Sequence, residues 1–138
     1  MLRFIVSTVI GIGIGMVAMM LMHYLSAFIY PMPDGVKFGT IEFNEYMKVV
    51  PTGALILAIL SHSIGSFAAS ILSSLLSRYS EWRNTKSFRF QYLIIGVFFT
   101  YAGWENLNSI PHPSWFKIDL LFYIPAAYFG YKIVNKKN

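Results

Sequence analysis

"PTGALILAILSHSIGSFAASILSSLL", residues 51 to 76, decides how the chain is read. It contains no Asp, Glu, Lys or Arg. A helix rising ~1.5 Å per residue needs ~20 such residues to cross ~30 Å of hydrocarbon, and this run exceeds that. Ser61, Gly65, Ala69, Ser73 and Ser77 recur every four residues, so one helix face is built of small side chains. His62 lies beside that face and should point at another helix rather than at lipid.

Three more apolar segments read the same way, at roughly 4–30, 90–108 and 115–134. None alternates as barrel strands do, and helices are the other structure that satisfies its backbone in lipid. The whole 138-residue chain is 56% hydrophobic and 12% charged, with a mean hydropathy of +0.55. Soluble domains carry about twice that charge fraction. The expected fold is therefore an all-α membrane protein, a four-transmembrane-helix bundle forming one domain over residues 1–138. Segment one follows Arg3 but runs too long, with a poor small-x-small site at Leu25 and Ala27, for a cleaved leader.

Charge orients the chain. Arg3, Arg78, Arg83, Lys86, Arg89, Lys132, Lys136 and Lys137 fall on one side of the threading, and Lys37, Lys48 and Lys117 on the other. The positive-inside rule then puts both termini in the cytoplasm. The net charge of +5 is a matter of topology on this reading, and no nucleic-acid partner is expected. Tyr24, Tyr30, Trp104, Trp115 and Phe116 would make an outer aromatic belt; Tyr79, Trp82, Tyr92, Tyr128 and Tyr131 would make an inner one.

The first outer loop opens on a Pro33-Asp34-Gly35 turn. Thr40 is a predicted N-cap, and Phe43, Tyr46, Met47 and Val50 follow at i, i+3, i+4 and i+7. That spacing predicts a short surface helix, with an ordinary connector as the plainer reading. Lipid supplies no hydrophobic drive between helices, so small residues should mark the packing faces. Besides segment two, these are Gly11 and Gly15, Gly96 and Gly103, and Ala126 and Gly130. Such faces serve either one bundle or the joint between protomers. The string GIGIG, residues 11 to 15, lacks the βαβ setting of a nucleotide loop. Pro125 should kink segment four.

The chain has no cysteine, which removes disulfides, thiolate metal sites and disulfide-to-quinone shuttling. Its candidate chemistry lies at the outer end or the centre: His23, His62, Glu105, Asn108, His112 and Asp119. Tyr101, Glu105 and Asn108 share one helix face. Glu105 reads either as a proton or cation site, formed with His23, Asp119 or His112, or as a structural carboxyl wetted at the interface. A metal needs three or four converging ligands. His23, Glu105, His112 and Asp119 have the right chemistry but come from separate elements without HxxxH or ExxH spacing, so no metal or other cofactor is assigned. Haem on two histidines is opposed by a depth difference of about 10 Å between His23 and His62 at ~1.5 Å per residue. In Pro111-His112-Pro113 the prolines end helix three and stiffen the turn, while Asn106 and Asn108 can meet freed carbonyls.

"PTGALILAILSHSIGSFAAS" and "NSIPHPSWFKIDLLFYIPAAYFGYKI" resemble a family of small bacterial four-helix inner-membrane proteins. In it a P-x-P-x-W-F turn joins helices three and four and a Y-I-P-x-A-x-x-G run follows. The resemblance implies the four-helix architecture and a multi-pass place in the bacterial inner membrane, and it carries over no catalytic residues. Small multidrug exporters resemble the chain in size only, because their acid stands in the first helix. The leading expectation is a non-enzymatic protein that packs in the bilayer with itself or with a membrane-protein partner. The alternative is a small proton- or cation-coupled transporter using Glu105 and His62. For transport, the polar residues below His62 are only serines: Ser66, Ser70, Ser73 and Ser74. An enzyme ranks third, since no nucleophile–base pair stands out.

Overall fold

A computed structural model describes residues 2–77 and 89–136. Arg78, Tyr79, Trp82, Arg83, Lys86 and Lys137, assigned above to the inner side, lie outside them. The described residues are helical and contain no strand. In chain order they form α1 (Leu2–Ile29), α2 (Ile41–Val49), α3 (Thr52–Ser77), α4 (Gln91–Ser109), a 3-10 segment (Ser114–Leu121) and α5 (Tyr123–Val134). Among them, α1 and α3 are long and apolar enough to cross a membrane.

The small residues are spent inside the chain. A Cβ on Gly11 would lie 2.6 Å from the Ala69 carbonyl oxygen, and one on Gly15 2.6 Å from that of Gly65. Ser61 Oγ donates to the Met19 carbonyl at 2.9 Å, and Ser73 Oγ to the Ser7 carbonyl at 3.0 Å. These pairings run in opposite directions along the two helices, so α1 and α3 are antiparallel at near-backbone contact. Gly130 brings α5 against Phe67 and Ser70 of α3, while Gly96 and Gly103 seat α4 on Ile124 and Tyr123. Helix α3 is thus the centre, with α1 on one flank and α5 on the other, and α4 closing over α5. Ala69, Ile95, Phe99, Tyr123 and Ala127 form the buried core.

The outward faces stay apolar. Val9, Met20, Leu21, Phe28, Ile94, Val97 and Phe129 are all exposed, Phe28 by 86%. In water that surface would be far larger than a soluble monomer tolerates.

Two local features position the site. The loop turn forms as expected: Gly35 takes φ +84°, and the Val36 amide donates to the Pro33 carbonyl at 3.2 Å. Thr40 then caps α2 by accepting from the Phe43 amide at 3.3 Å. Segment four departs from expectation. Instead of one kinked α-helix it is a 3-10 segment followed by α5, joined at Phe122. Pro125 falls in the first turn of α5, where the amide it lacks would have had no intrahelical partner. Helix start and proline agree there, so the break lies before Pro125.

Candidate functional site

Helix α3 carries His62 into the bundle, and the 3-10 segment carries Asp119 down to meet it. His62 Nδ1 lies 2.8 Å from Asp119 Oδ2. The Tyr123 hydroxyl donates to the same Oδ2 at 2.7 Å and stands 3.0 Å from His62 Nδ1. All three side chains are buried. The imidazole stacks on the Tyr123 ring, with centroids 5.5 Å apart. Asp119 Oδ1 is also enclosed and makes no hydrogen bond among the described residues.

The protons can be counted from the partners. Tyr123 gives its one hydrogen to Oδ2. Nδ1 of His62 is committed to Asp119, so only Nε2 remains for other work. When the Asp119–His62 pair holds a single proton between the two residues, that proton sits at Nδ1 and Nε2 presents a lone pair. A further proton taken up by the imidazole gives Nε2 an N–H. One proton therefore turns Nε2 from acceptor to donor.

His62 forms part of the wall of a half-open cavity of about 480 Å³ where α1 ends and α3 begins. Phe43, Tyr46 and Met47 of α2 roof it, and Val50 follows them. The i, i+3, i+4, i+7 stripe read from sequence is the face that does this. His23 also lines the cavity and meets His62 edge to face, centroids 5.2 Å apart. His112 lines it from the 110–113 turn, stacked on Phe116 at 4.9 Å. Its Nδ1 lies 2.7 Å from the Ile110 carbonyl oxygen, which can only accept, so Nδ1 carries the hydrogen and neutral His112 offers a lone pair at Nε2. Burial holds this imidazole below the ordinary histidine range, against a smaller opposing pull from the Ile110 carbonyl.

A depth reading is corrected here. The rings of His23 and His62, which a uniform rise sets about 10 Å apart in depth, are in contact, and Asp119 is hydrogen-bonded to His62. Side chains on a helix lean toward its N-terminus. In the antiparallel pair His23 therefore leans inward and His62 outward, and the rings converge. Asp119 descends on a 3-10 segment, which rises about 2.0 Å per residue instead of 1.5.

Glu105 and Asn108 do not join this group. Both are exposed on α4, and the Glu105 carboxylate is hydrogen-bonded by Tyr101 one turn before it. Asn106, on the next face, lines the cavity. Among the described residues no three His, Cys, Asp or Glu side chains converge to hold a metal ion.

Inward from His62, Ser66, Ser70, Ser73, Ser74 and Ser77 are all buried. Ser66 and Ser70 make no side-chain hydrogen bond among the described residues. The stripe ends in a second polar cluster. Gln91 donates to Ser7 Oγ and Thr8 Oγ1, both at 2.9 Å, and accepts from Ser77 Oγ at 3.1 Å. Ser7 and Ser77 also pair at 2.8 Å. Gln91 and Tyr123 join these clusters without being candidates in the sequence. Asp119 and Tyr123, four apart on one face, were the available signal for the second. For Gln91 the signal was an uncharged amide at the head of an apolar run.

No family model, curated protein or solved structure matches this chain.

Proposed function

We propose that the protein is a small multi-pass protein of the bacterial inner membrane that binds a small ligand in its outer half with linked uptake or release of a proton. The four segments cross the bilayer with both termini in the cytoplasm, α2 lies at the outer surface, and the cavity opens on the outer side. The charge asymmetry between the two sides and the family resemblance support that topology. The observation that carries the function is the buried Asp119 carboxylate, joined to both His62 and Tyr123 at the wall of the cavity. Ionisable groups inside a membrane are costly, and they mark ion and proton sites. Here the proton changes what His62 Nε2 can offer a ligand.

A passive packing protein is the competing reading. Its natural adhesive faces are the small-residue stripes, and those are occupied within the chain by α1, α3 and α5. The buried serines from Ser66 to Ser77 add a line of hydroxyls toward the inner end, which suits proton-coupled transport better than packing. The carboxylate of such a transporter is Asp119, not Glu105.

The chain has three histidines, which makes the test direct. In protein labelled with ¹⁵N at histidine and held in micelles, His62 Nε2 should change from lone pair to N–H as external pH falls. Asp119→Asn should abolish or displace that change. A His62 ring that keeps one protonation state across the pH range the protein tolerates overturns the proposal.

A further inference from the structure

Resting on that reading, the next question is what the cavity takes. Its volume of about 480 Å³ is within the range of small-molecule sites. The walls are largely aromatic and aliphatic, with Phe38, Phe43, Tyr46, Met47 and Phe116 among them. Among the described residues neither Lys nor Arg lines it, so an anion would find no counter-charge. A cation would fare little better. Oδ2 of Asp119 is already shared by His62 and Tyr123, and Oδ1 is enclosed. Bringing an ion here would forfeit its hydration without a partner. The ligand is therefore neutral, with an apolar body.

The polar atoms narrow its head group. His112 Nε2 is an acceptor, fixed by the bond from Nδ1 to the Ile110 carbonyl. His62 Nε2 is an acceptor or a donor according to the proton held with Asp119. A hydroxyl donates and accepts, so it can meet His62 in either state and satisfy His112 as well. A carbonyl or ether oxygen accepts only, and could give the half-buried His112 Nε2 no hydrogen. Flat walls and three imidazoles, His23, His62 and His112, set around one cavity suit a ring with more than one hydroxyl.

The geometry points to a neutral phenolic ring compound of the hydroquinone class as the ligand, one hydroxyl given to His112 Nε2 and another meeting His62 Nε2. An apolar tail on the ring would leave through the open side of the cavity.

Three probes of one shape test this: a decyl-substituted hydroquinone, its dimethyl ether, and the corresponding quinone. Each is titrated anaerobically by calorimetry into the full chain in nanodiscs. The hydroquinone should bind at least about tenfold tighter than either analogue, because a site built around a hydroxyl rejects ligands that lack it. Binding should shift the ¹⁵N signal of His112 Nε2. His112→Phe, which keeps a ring against Phe116, should bring hydroquinone affinity down to that of the ether. His62→Gln is a second variant, and circular dichroism checks that both fold. Equal binding of the three probes overturns the proposal, as does no binding above empty nanodiscs. If binding fails while the Asp119-dependent change at His62 persists, the ligand class alone is wrong. If both fail, the reading beneath it falls too.

Discussion

The two polar clusters of this bundle are built on opposite plans. The inner one is neutral, enclosed and mutually satisfied: Gln91 ties Ser7 and Thr8 of α1 to Ser77 of α3. The outer one is titratable, borders a cavity, and leaves one oxygen of Asp119 without a hydrogen bond among the described residues. A neutral network with every member paired fixes how helices sit, since breaking it strands polar atoms in an apolar medium. A titratable group beside a cavity does less for stability, and its chemistry changes with one proton. On the proposed function, the inner cluster serves architecture and the outer one serves the ligand. The inner cluster spans the α1–α3 seam, while the outer one joins α3 to the 3-10 segment and α5 and meets α1 through the His23–His62 ring contact, so the comparison can be broken at the seam, at the inner cluster, or at a carboxylate that belongs to neither.

The largest effect should come at the seam. A side chain on Gly15 would press on the Gly65 carbonyl at 2.6 Å and on Ala69 Cβ at 2.7 Å, neither of which can yield without moving backbone. Gly15→Leu should destabilise by about 3 kcal/mol or more and break the inner cluster together with the His23–His62 contact. Gly13, two residues away, faces open space, with nothing within 4 Å of a Cβ. Gly13→Leu should be neutral or mildly stabilising, since leucine is the better helix former. Thermal melts of the pair in one detergent decide the matter; equal melting would mean that α1 does not pack on α3 through this face.

A smaller and more selective effect is expected at Gln91. Gln91→Leu removes three side-chain hydrogen bonds while keeping an apolar filler. Interhelical hydrogen bonds in membranes contribute modestly, so the loss should be about 1–2 kcal/mol. The protonation change at His62 should survive it. If the His62 signal moves as far as it does in Asp119→Asn, the clusters are one network and the division between them is wrong.

How much of this was legible in the sequence differs between the two levels. Helices α1, α3 and α4 came within two residues at each end, because long apolar runs bounded by Pro51, Pro111 and Pro113 leave little choice. The Thr40 cap and the apolar stripe after it gave α2 and the face that roofs the cavity. The four-residue spacing of Ser61, Gly65 and Ala69 gave the face that α1 uses. What failed was depth. A uniform rise per residue set His23 and His62 about 10 Å apart in depth. It ignores the lean of side chains in an antiparallel pair and the steeper 3-10 descent before Tyr123. Asp119 and His62 both stand out as candidates in the sequence, but that their side chains meet does not, because the sequence does not say which faces of α4 and the 3-10 segment turn toward α3. Gly96 and Gly103, seated on Ile124 and Tyr123, turn the other face in and leave Glu105 outside.

Glu105, the other carboxylate among the candidates, yields the smallest expected effect and a sharp one. Glu105 stands on the exposed face of α4 with Tyr101 as its partner. Glu105→Gln keeps an oxygen to accept from the Tyr101 hydroxyl and alters nothing that lines the cavity. Its melting curve should match the unaltered chain within replicate scatter, and the His62 protonation change should keep its midpoint. Asp119→Asn makes the same exchange of oxygen for nitrogen, 14 residues on, and should disturb the histidine signal outright. Two chemically identical substitutions with opposite outcomes would separate the carboxylate that sets the state of His62 from the one that does not. If Glu105→Gln moves the His62 midpoint as far as Asp119→Asn does, the field at the histidine comes from the outer rim, and the buried pair is not the seat of the proton.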